Sequence, residues 1–191
     1  NSINEIKKEL GDKFQGLILD LRNNPGGLLN QSISVTDAFL NQGEIVSTQG
    51  RKTDDTSRVF AKKGDIINGK PLIVLINSGS ASASEIVAGV LQDVDRGVVI
   101  GRSTFGKGLV QTVINIDRER SVKITSAKYF IPSGRLIQKP GYLPKELLAD
   151  TSSIDSIFFT KGGRSVSGLG GINPDYKVDL NNIEPLLSVS L

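Results

Sequence analysis

A chain of 191 residues with 38% apolar and 5% aromatic side chains is long enough to bury one sizeable core, and that core must be aliphatic and sheet-based. Its formal net charge of +3 is spread along the chain, which argues against a dedicated nucleic-acid surface. There is no cysteine and no histidine, which excludes disulfides, a thiol nucleophile, zinc held by thiolate or imidazole, and a Ser-His-Asp triad assembled within the chain.

In chain order, "SINE" matches a capping box, Ser2 with Glu5, and opens a short helix that should stop near Gly11. "GLILDLR" (Gly16 to Arg22) reads as a buried strand, "NNPGG" as a turn, and the segment through Phe39 as helical. "EIVSTQG" is a second strand, and the polar "RKTDDTSRVFAKKGD" is a surface excursion or a hairpin. "PLIVLI" (Pro71 to Ile76) is a continuous apolar run, as expected of a strand covered on both faces. Ile86, Val87, Val90, Leu91 and Val94 then recur at helical spacing, which predicts a core-facing helix from Ala83 to Val94. "GVVIG" is a short strand, and "LVQTVINI" with "SVKITSAKYFI" flanks the charged "DRER" as a β-hairpin. Beyond Pro140 the pattern weakens to a loop, a helical turn, "SIFFT", the turn "KGG" and a last stretch of little periodicity. Alternating strands and helices indicate a single α/β domain over 1–191, with 140–191 as a closing segment. No run approaches the about 18 apolar residues of a membrane span, and no signal peptide is seen. The first residue is Asn1, so the chain reads as a piece of a longer protein.

Three segments invite chemistry. In "NSGSASASEI" (Asn77 to Ile86), Ser82 and Glu85 form a capping box, and helix capping accounts for Ser82 by itself. Yet Ser82 leaves a buried strand and enters a helix, where α/β folds place ligands, and the helix N-terminus offers free N–H groups to an oxyanion. In "GRSTFGKG" (Gly101 to Gly108), Gly101, Gly106 and Lys107 match a phosphate loop. The next residue is Gly108 rather than Ser or Thr, and a strand follows rather than a helix, so a nucleotide site is rejected. A lysine between two glycines is either an exposed turn residue or an amine held beside Ser82 as a base. A lysine base working near neutral pH must sit about three units below its usual ~10.4, a shift that burial can supply. Gln111 lies roughly along the same face and could orient that amine. In "DLRNNPGG", Gly26 and Gly27 either serve the turn alone or offer an N–H to an oxyanion beside that of Ala83. Asp20 and Arg22 read as a structural pair that fixes the turn.

"LILDLRNNPGG", "NSGSASASEIVAGVLQD" and "GRSTFGKGLVQ", in this order, resemble the carboxyl-terminal processing (tail-specific) proteases of the S41 serine-protease family. "SAKYFIPSGRLIQ" and "GGINPDYKV" resemble that family's closing segments, so the likeness runs from about Gly16 to Val178. The resemblance implies a crotonase-like, ClpP-like ββα spiral and a serine endopeptidase that cleaves proteins or peptides near their C-termini. It makes Ser82 the nucleophile, Lys107 the general base and Gln111 its support. The N–H of Ala83 and that of Gly26 or Gly27 form the oxyanion hole, and Glu85 and Asp93 are secondary. No metal or cofactor is implied. The family pattern also implies a PDZ domain and an amino-terminal region in the parent chain, and a bacterial cell-envelope or periplasmic location. The alternatives are a non-catalytic peptide- or ligand-binding module on the same fold, or an inactive isolated core.

Overall fold

The computed structural model describes residues 2–52, 54–62, 64–139, 157–168 and 170–179. It opens with α1 (Ser2–Leu10), extended by a 3-10 turn at Gly11–Lys13 past the expected stop. β1 (Leu17–Asp20), α2 (Leu29–Asp37), β2 (Glu44–Gln49), β3 (Thr56–Phe60), β4 (Leu72–Ile76), α3 (Ala83–Asp93) and β5 (Val98–Gly101) follow. The chain continues through β6 (Leu109–Asn115), β7 (Ser121–Phe130), β8 (Ile157–Phe159), β9 (Ser165–Ser167) and β10 (Tyr176–Lys177). The polar segment after β2 resolves into the hairpin alternative, with β3 antiparallel to β2. The loop and helical turn expected just beyond Pro140 lie outside the described residues.

Two four-stranded sheets form the body. The first is parallel in the order β1-β4-β5-β10, with Leu19 opposite Val74 and Val74 opposite Val99. The second is antiparallel in the order β3-β2-β7-β6. Helix α3 carries the crossover from β4 to β5 and packs against α2, β2 and β5, and all eleven of its residues are buried. The five apolar side chains picked out at helical spacing lie in or against the core, and each that is fully buried stabilises the fold by about 1.5–3 kcal/mol over its exposed state. β4 is less evenly covered than its apolar run suggests: Leu72, Val74 and Ile76 are fully buried, whereas Ile73 and Leu75 are half-buried.

Asp93 ends α3 as half of a fully buried ion pair, 2.7 Å from Arg135. Its carboxylate also accepts from the Ser133 N–H, and Arg135 donates to Gln92 Oε1 and to the Ser167 carbonyl. Burial pushes the Asp93 carboxyl above its ordinary range against the pull of Arg135, and burial likewise draws the Arg135 guanidinium down. The last described stretch, whose sequence shows little periodicity, returns to the core: Ile172 is fully buried and β10 closes the parallel sheet.

Candidate active site

The site forms where loops at the carboxyl ends of two paired strands meet. β1 and β4 are parallel neighbours, so the turn after β1 and the serine-rich loop after β4 emerge side by side. Polar side chains then stitch them together. Ser80 Oγ, fully buried, donates to the Leu21 carbonyl, and Asn77 Nδ2 donates to Asn23 Oδ1 at 2.9 Å. Asn77 Oδ1 accepts from the N–H of Asn23, and the Ala81 N–H donates to the Asn24 carbonyl. Asp20 and Arg22 do pair across the strand end, but at the surface, with roughly half of each side chain exposed. That charge-assisted bond holds the Asp20 carboxyl down at about 2.

The stitching seats Gly26 against the turn into α3. Gly26 has φ +91°, and a Cβ there would lie 2.5 Å from the Ala81 carbonyl oxygen and 2.7 Å from the Ala83 nitrogen. Its N–H donates to Asn24 Oδ1. Gly27 has open space around its Cα, and among the described residues no acceptor takes its N–H or that of Ala83. Ser82 itself has φ 55° and ψ −113°, a strained conformation for a residue with a Cβ, worth about 1–3 kcal/mol. Such strain persists only where the surroundings enforce it, and here the Ser82 N–H donates to Glu85 Oε2 at 2.7 Å.

Glu85 does more than close a capping box. Its fully buried carboxylate also accepts from Thr104 Oγ1 (2.5 Å), the Gly106 N–H (2.7 Å) and the Lys107 N–H (2.9 Å). One side chain thus ties the Ser82 turn to the loop that carries Lys107, with Thr104 as the adaptor. Thr104 carried no signal of its own in the sequence; its hydroxyl accepts in turn from the Ile172 N–H.

Ser82, Ala83, Gly27, Lys107 and Gln111 line one cleft of about 300 Å³, with Leu28, Leu29, Ile86, Leu109 and Val110 as its apolar wall. Ser82 and Lys107 are each half-buried, and among the described residues their side chains do not hydrogen-bond one another. Gln111 shares the cleft without bonding Lys107: the register of β6 on β7 shifts between Val110 and Gln111, which resets the alternation of side chains along the strand. Gly26 and Glu85 are not among the residues that line the cleft, and Asp93 lies at the far end of α3 with Arg135. Tyr129 also lines the cleft, and nothing in the sequence marks it, because it stands inside an ordinary strand pattern. Among the described residues no cluster of acidic side chains could hold a metal ion, and no helix is long and apolar enough to cross a membrane.

Residues 1–147 match the family described as "Peptidase family S41". The chain is 57% identical over 144 residues to the carboxy-terminal-processing protease of Bartonella bacilliformis, covering 75% of this chain and 33% of that protein. It is 40% identical over 148 residues to the carboxyl-terminal-processing protease of a Synechocystis strain, covering 78% of this chain and 34% of the relative. The chain therefore spans about a third of the length of the curated relatives it matches. Among solved structures it superposes on the photosystem II D1 C-terminal processing protease with a TM-score of 0.69 at 30% identity, covering 93% of this chain and 38% of that one. A putative S41 protease from Bacteroides fragilis shares the fold with a TM-score of 0.59 at 16% identity. The architecture is the mixed α/β arrangement of the ClpP and crotonase type that S41 peptidases have. By the match of its sequence and the course of its chain, the protein belongs to peptidase family S41, beside the carboxyl-terminal processing proteases.

Proposed function

We propose that this chain is the catalytic core of a serine endopeptidase that cleaves protein or peptide substrates near their C-termini, with Ser82 as nucleophile and Lys107 as general base. The observation that carries the reading is one shared wall: a strained serine at the first turn of a buried helix, and a glycine-flanked lysine in the same cleft, tied through a single carboxylate.

Ser82 Oγ attacks the scissile carbonyl carbon while its proton passes to the lone pair of Lys107 Nζ. The negative charge that develops on the carbonyl oxygen meets the N–H of Ala83 at the positive end of α3 and the N–H of Gly27. Gly27 suits this role better than Gly26, whose N–H is already spent on Asn24. Collapse of the tetrahedral intermediate breaks the C–N bond, and the Lys107 ammonium returns its proton to the departing amine. A water then gives a proton to Lys107 as it attacks the acyl-Ser82 ester carbon, and Lys107 passes that proton to Ser82 Oγ as the ester C–O bond breaks, which releases the new carboxyl terminus and regenerates the hydroxyl. The two side chains start unbonded, so the reading requires that substrate draws them together, as catalytic hydrogen bonds often tighten only in the Michaelis complex. The apolar wall of Leu28, Leu29, Ile86, Leu109 and Val110 suits an uncharged side chain on the acyl side of the cut.

The test is substitution. Ser82→Ala and Lys107→Ala are each expected to abolish hydrolysis of labelled casein while the circular dichroism spectrum stays unchanged. Undiminished hydrolysis in either variant would overturn the assignment of Ser82 and Lys107, and a wild-type protein that hydrolyses nothing would return the fold to a binding role.

A further inference from the structure

Lys107 sits between Gly106 (φ +88°) and Gly108, so its own neighbours do little to fix where its peptide lies. Both polar groups of that peptide are instead held from outside. Glu85 takes the N–H, as described, and the phenol of Tyr129 donates to the Lys107 carbonyl at 2.5 Å. The same hydroxyl lies 3.2 Å from the Ser82 carbonyl oxygen. One carboxylate oxygen therefore receives the N–H groups of Ser82 and Lys107, and one hydroxyl meets their two carbonyls.

We propose that Tyr129 is a positioning residue, which sets the spacing between Ser82 and Lys107 by holding their carbonyls without engaging either reactive side chain. The proposal rests on the reading of those two residues as nucleophile and base. Three features make Tyr129 a stiff support. It stands on β7, an inner strand of the second sheet, where it is paired with Thr48 of β2. Its own N–H donates to the Gly108 carbonyl, so it grips the lysine loop at two consecutive peptides. It is 2% exposed, so bulk water does not replace the bond. Burial, with the Glu85 charge nearby, pushes the phenol well above its usual value, so the hydroxyl keeps its proton and stays a donor. The Ser82 carbonyl already accepts from the N–H groups of Glu85 and Ile86, which makes the Lys107 carbonyl the principal partner. The hydrogen bonds of the Tyr129 hydroxyl go to the Ser82 and Lys107 carbonyls, so it acts through the backbone.

Tyr129→Phe removes the hydroxyl and keeps the ring. The readout is the rate at which a fluorophosphonate modifies Ser82 in the folded protein, followed by mass spectrometry, beside kcat and KM on labelled casein. The expected result is a fall of about tenfold or more in the labelling rate and in kcat, with KM within about twofold of wild type. A merely structural role would lower Tm and leave these per-molecule rates alone. Wild-type rates in folded Tyr129→Phe would overturn the proposal and leave the Ser82 reading standing. Failure of the wild-type protein to be labelled at Ser82 would overturn both. Should Tyr129→Phe not fold, 3-fluorotyrosine and 3,5-difluorotyrosine at this position keep the hydroxyl and grade its donor strength. The labelling rate is then expected to change by about twofold or more across the series, and an invariant rate overturns the proposal.

Discussion

Gly26 and Gly27 are adjacent and chemically identical, yet their surroundings give them opposite tolerances. A methyl group on Gly26 collides with the main chain at Ala81 and Ala83, and its φ of +91° adds strain, whereas a methyl on Gly27 meets nothing within 4 Å. We expect Gly26→Ala to cost about 1–3 kcal/mol of stability and Gly27→Ala to stay within about 0.5 kcal/mol. Urea unfolding of the two variants checks this, and equal losses would mean that the turn does not press against the start of α3. The four serines of the loop divide in the same way by surroundings. Ser78 is exposed, Ser80 is buried and joins two loops, Ser84 is buried in the helix, and Ser82 faces the cleft. Composition marked the stretch as unusual, but only the position of each hydroxyl separates a structural serine from a candidate nucleophile.

At the level of elements, the parts with a local cause were legible. α3 announced itself through apolar spacing and a capping box, β4 through its apolar run, and β6 with β7 through two patterned strands about a charged tip. The parts without a local cause depend on partners far along the chain. Tyr129 sits within an ordinary strand pattern, and its role comes from a carbonyl on a different loop. β10 is two residues long, too short to leave a period. The Asp93–Arg135 pair is another such case, joining the end of α3 to a loop 42 residues on. Burial opposes both charges, so the pair does little for net stability, but removing one member strands the other. Asp93→Ala is accordingly expected to cost about 3–5 kcal/mol, and a volume-matched apolar replacement of both residues to cost less. Thermal melts of the single and double variants decide this, and a single-variant loss under about 1 kcal/mol would show that Arg135 finds another partner.

Over the whole molecule, the returning segment is fastened to the body by charge. Arg164 bridges Asp95, just past α3, and Asp175, whose carboxylate also receives the Val99 N–H of β5. Burial works to raise the Asp95 carboxyl, but the Arg164 guanidinium and the Gly162 N–H outweigh it and hold it below its ordinary value. A carboxyl lowered by folding lends stability that is full above its unfolded value, near 3.9, and is lost as pH falls through the folded one. The Tm advantage of wild type over Asp95→Asn should therefore be present at pH 6 and shrink steadily on acidification below about pH 4. A gap that stays constant down to about pH 2 would mean that the Asp95 carboxylate does not drive this attachment.

The cleft has two unlike jaws. One is α3, enclosed along its full length, where almost any change disturbs the interior. The other is β6, the outermost strand of its sheet, which contributes Leu109, Val110 and Gln111 and is interrupted by a bulge between the last two. Substitutions in the marginal strand can therefore reshape the cleft at little cost to the fold, while Ser82 at the head of α3 stays held by the interior that supports it.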